Sequence, residues 1–168
     1  LGDKNRMSYD AGISYIKNVL EATKTLLKNP NDLDARGIIM MGASLSTSSR
    51  IGIGKEEAYA YDIYELEFLP EKLFGSSYRR SLTSIFPRFL EAMGKRHAED
   101  VGKYYLDVFG FDSSIEESSR KLVALFSDFG VDMYYDGIIN REQVGCIPCD
   151  TELDENEIFE MINGVIRK

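Results

Sequence analysis

Apolar residues recur along this chain at three- and four-residue steps, the period that places them on one face of a helix. Met7, Ala11, Tyr15, Val19, Ala22 and Leu26 form the first such stripe, between Met7 and Leu27. The next helix is signalled by Asn29 as its cap, Pro30 in its first turn, and Asp32 and Asp34 at the positive end of its dipole. It runs through ARGIIMMGASLSTSS, where Gly37, Gly42, Ala43 and Ser44 let a neighbouring backbone come close. A glycine-rich turn, RIGIGK at 50–55, precedes EAYAYDIYELEFL at 57–69, which reads as a helix carrying four aromatic residues and four acids.

Further helices are predicted over Tyr78–Met93, Lys95–Val108 and Ser114–Phe129. Gly110 separates the last two, and Asp112, Ser113 or Ser114 supplies the cap of the second. The pattern turns irregular through MYYDGIINREQVGCIPCD, where Gly137, Gly145 and Pro148 mark loops. A final helix starts at Asp154, with Glu157 three residues on as the partner in a capping box. No alternating run demands a strand and no repeat is present. The expected fold class is all-α, a single multi-helix domain over residues 1–168.

Composition narrows the classes of partner. With 43% hydrophobic and 29% charged residues, the 168-residue chain is globular rather than disordered. Its formal charge of -8 argues against nucleic acid or an anionic membrane surface as a partner. No apolar run reaches the roughly 20 residues of a membrane-spanning helix, and no signal peptide opens the chain, so the expected location is cytoplasmic. Leu1 rather than methionine stands first, which is expected of a processed protein or a piece of a longer one.

Candidate chemistry is sparse. Lys55 is followed by Glu56, so RIGIGK lacks the Gly-Lys-Ser/Thr of a phosphate loop, and no dinucleotide fingerprint follows a strand. Cys146 and Cys149 form a C-x-x-C pair that can hold a reversible disulfide or half a zinc site, or be two incidental loop thiols. His97 is the single histidine, which excludes any site built from two imidazoles; no motif ties it to a nucleophile. Asp62 with Glu65, and Glu99 with Lys103, share helix faces and read as charged outer surface.

Three segments taken in order carry a resemblance. NPNDLDARGIIMMGASLS at 29–46, SIFPRFLEAMGKRHAEDVGKYYLDVFGFD at 84–112 and PCDTELDENEIFEMI at 148–162 resemble the helical C-terminal domain of iron-containing alcohol dehydrogenases, of the dehydroquinate synthase-like fold. The resemblance spans Met7 to the C-terminus and implies an NAD(P)-dependent alcohol or aldehyde oxidoreductase. In that family an N-terminal α/β domain binds the nicotinamide cofactor. The helical domain holds Fe2+ or Zn2+ through an aspartate and three histidines, and the metal polarises the substrate oxygen.

The resemblance also implies what this chain lacks. No counterpart of the cofactor domain is present, and the family's aspartate and first histidine fall before Leu1. The positions of the other two histidine ligands carry Ala60 and Tyr78, and Tyr64 stands at the second histidine of the family's His-x-x-x-His helix. Alanine has no donor atom, and a phenol with a pKa near 10 is a poor ligand for these metals at neutral pH. The expectation is a former metal site, a cleft lined by Ala60, Tyr61, Tyr64 and Tyr78 and filled with aromatic bulk. No metal and no cofactor is expected on this chain, which is expected to be inactive alone. The partner the resemblance implies is an upstream cofactor domain; the alternative is a protein partner, which makes the chain a helical interaction module. Thiol redox at Cys146 and Cys149 is a further alternative.

Overall fold

A computed structural model describes residues 5–47, 62–145 and 149–167, and all of its regular elements are helices. In chain order they are α1 (Arg6–Lys28), α2 (Leu33–Thr47), α3 (Asp62–Leu66), α4 (Phe68–Phe74), α5 (Tyr78–Met93), α6 (Ala98–Tyr104), α7 (Ile115–Asp128), α8 (Arg141–Gly145) and α9 (Glu155–Asn163). α6 widens at its end into a π-helical turn, Tyr105–Phe109.

The body is organised on α5, against which α3, α4, α6, α7 and α9 all pack. Its sequence places Ile85, Phe89, Leu90, Ala92 and Met93 inward, and all five are buried with Leu66, Leu69, Leu122 and Ile162 in one core. Burying each of the larger aliphatic or aromatic side chains contributes on the order of 1.5–3 kcal/mol. Pro87 sits inside α5 and brings no N–H to the helix ladder. Its own carbonyl accepts a hydrogen bond from the buried Ser119 hydroxyl of α7 at 3.0 Å, which fixes the two helices side by side.

The C-terminus is tied to the loop after α7. Tyr135 N–H donates to the Val165 carbonyl at 2.8 Å, and Arg167 N–H donates to the Tyr135 carbonyl at 2.9 Å. Arg167 also pairs with Asp132 and Asp136.

α1 and α2 form a helical hairpin beside this body. They pack on each other, and α1 reaches the body at the π-helical turn. There the Tyr9 hydroxyl donates to Asp107 at 2.8 Å, and the Lys103 ammonium, which also pairs with Asp107, lies 4.4 Å from the Tyr9 ring centroid. Lys103, which shares its helix with Glu99, is paired with Asp107 four residues on, within the π-helical turn.

Several predicted boundaries hold. α5 runs Tyr78–Met93 as expected, Ser114 caps α7 through the Glu117 N–H, and Asp154 with Glu157 makes the reciprocal capping box of α9. Others move for physical reasons. Asn29 closes α1, while the Asp32 carboxylate accepts from Ala35 N–H at 2.9 Å and so caps α2. The helix expected over 57–69 is broken at Glu67 among its described residues, and a second short helix, α4, runs on from Phe68 to Phe74. Pro70 explains both changes: it has no N–H for the Leu66 carbonyl, and its fixed φ suits the first turn of a new helix. The helix expected from Lys95 starts only at Ala98, after a turn over residues 94–96. α8 was not predicted; Asn140 and Gln143 cap its start reciprocally, a short-range signal inside an irregular stretch.

Candidate functional site

Tyr64, Glu67 and Glu71 recur at three- and four-residue steps across the junction of α3 and α4, on one side of the chain. Ile63, Leu66, Leu69 and Pro70 are buried, and hold both short helices on α5. Tyr78 is the first residue of α5, brought to the same place because Gly75, with φ of 63°, ends α4 in the left-handed region and turns the chain back.

Glu67 occupies an unusual position for a carboxylate. It is only 4% exposed, and its Oε2 is sealed from solvent without a hydrogen-bond partner. Burial raises its pKa above the ordinary glutamate value, and the neighbouring Glu71 charge adds to that. The Tyr78 phenol is raised as well, first by the Glu67 charge and then by burial and by Tyr64 and Glu71. These mutual effects place the two carboxyl groups and the two phenols in one electrostatic neighbourhood.

Of the four positions identified by resemblance, Ala60 and Tyr61 lie outside the described residues. Tyr64 and Tyr78 are each about half exposed, at 47% and 49%, and the Tyr64 charge is among the influences on the Tyr78 phenol. Glu67 was read only as one acid of a charged helix back. Its burial comes from the packing of α3 and α4 on α5, which nothing in ELEFLPEK announces.

The described residues do not fit a family-type metal. Among the described residues no group of three or more histidine, cysteine, aspartate and glutamate side chains is arranged to hold one. His97 lies elsewhere, on the start of α6, where its Nε2 is 2.8 Å from Glu152 Oε2. Phenols beside two carboxylates do not make the imidazole-rich set that divalent iron or zinc selects.

The second cysteine lines a separate open cavity of about 620 Å³, with Glu65, Asp150, Glu155 and the apolar Val144, Leu153 and Ile158. Cys149 Sγ lies 3.7 Å from the Glu65 carbonyl, and burial together with the Glu65 charge raises its pKa. That environment holds the sulfur as a thiol, the less nucleophilic form. Cys146 lies outside the described residues.

No protein-family model matches the sequence, and no curated protein matches it. A solved structure does. The chain is similar to NADH-dependent butanol dehydrogenase A of Thermotoga maritima, with a TM-score of 0.80 at 13% identity over 99% of this chain. The fold is that of the helical C-terminal domain of an iron-containing alcohol dehydrogenase. The chain spans 48% of the length of that dehydrogenase. No helix among the described residues is long and apolar enough to cross a membrane.

Proposed function

We propose that this chain is the helical domain of an alcohol dehydrogenase-like protein whose family metal site has been lost, and that it does not reduce aldehydes by itself. The observation that carries the reading is the pair Tyr64 and Tyr78, standing together beside Glu67 on a fold that covers 99% of the chain. With no electrophile of the family's kind, a substrate carbonyl is not polarised for hydride transfer. A cytoplasmic location, and a nicotinamide bound by an additional α/β domain that this piece closes over, belong to the same proposal.

Metal analysis of the purified chain, together with NAD(P)H-dependent reduction of short aldehydes, tests it. The expected outcome is no stoichiometric iron or zinc, no turnover, and a melting temperature unchanged by a chelator. Turnover that follows added iron or zinc overturns the reading.

A second reading, the helical interaction module, is favoured by α2. Leu33, Ile38, Met40 and Met41 on this helix are all exposed, and its close helical neighbour is α1. Cross-linking or light scattering that finds the isolated chain monomeric, with no stable partner from its own source, speaks against it.

A further inference from the structure

We draw no further inference here: the strongest candidate, the open cavity between α3, α8 and α9 where Glu65, Asp150 and Glu155 surround the apolar Val144, Leu153 and Ile158, is a cluster of exposed acids at its rim, and among the described residues no buried, unpartnered polar side chain lines it to mark a ligand.

Discussion

The guanidinium of Arg80 lies 4.4 Å from the centroid of the Tyr135 ring, and Phe74 stacks on that ring at 4.7 Å. The Tyr135 hydroxyl is 2.9 Å from Ser84 Oγ and 3.0 Å from Ser76 Oγ, so one buried side chain joins α4, α5 and the C-terminal tail. Tyr135→Phe keeps the stacking but removes the hydroxyl, and should cost about 1 kcal/mol in denaturant unfolding. Tyr135→Ala should cost roughly 3–5 kcal/mol, because it also opens a cavity and frees the C-terminal residues.

Glu67→Gln should stabilise the folded chain near neutral pH by roughly 1 kcal/mol, since it removes a buried charge without changing shape. The sign of the pH dependence follows from the raised pKa. A carboxyl that holds its proton more tightly when folded adds stability below its unfolded pKa, and that stability is lost as pH rises through the folded value. The gap between variant and wild type should therefore shrink as pH falls from neutral towards the ordinary glutamate value of 4.5. Urea melts at several pH values measure it; a gap constant with pH contradicts the burial of an ionisable Glu67.

Glu157 behaves in the opposite sense. Its carboxylate accepts from Arg96 at 2.8 and 2.5 Å and closes the capping box of α9 through the Asp154 N–H. The Arg96 hydrogen bond, foremost, holds its pKa below the usual value, so its contribution is present above the unfolded pKa and lost as pH falls through the folded one. Glu157→Ala should cost about 1 kcal/mol at neutral pH. That cost should begin to shrink as pH falls below 4.5, the ordinary glutamate value, and vanish below the lower folded value, in the same melts.

Gly42 sits where α1 and α2 approach closely. A Cβ placed there would lie 2.9 Å from Val19 Cγ2 and 3.3 Å from Tyr15 Cε2, while the Tyr15 hydroxyl donates to the Gly42 carbonyl at 2.7 Å. Gly42→Val should force the hairpin apart at a cost of about 1–3 kcal/mol. Circular dichroism melts of the variant, with loss of the Tyr15 contact followed by fluorescence, check it.

The long helices of the body were legible because two independent signals agree in each. α7 and α9 combine a 3.6-residue apolar period with a side-chain cap, and α5 has a strong inward stripe. Shorter elements were legible only in part. The break at Glu67 follows from one missing N–H at Pro70, which the aromatic and acidic pattern of EAYAYDIYELEFL masks. Of the candidate site, Tyr64 and Tyr78 came from the order of segments, and the Tyr64 charge acts on the Tyr78 phenol. Glu67 could not be found that way, because a glutamate between charged neighbours reads as surface. Only the packing of three helices, set by residues far from it in sequence, puts it out of reach of water.

Among the described residues, the hairpin of α1 and α2 packs on the body chiefly at the π-helical turn, with its Tyr9–Asp107 hydrogen bond. Its own contacts are internal, so it can detach or melt while the core around α5 remains intact. Amide exchange should then fall into two tiers, with α1 and α2 exchanging together and faster than α5 and α7. A mutation at Tyr9 would change the first tier alone. On that expectation the chain opens as two cooperative units of unequal lifetime, with the polar contact at Asp107 between them.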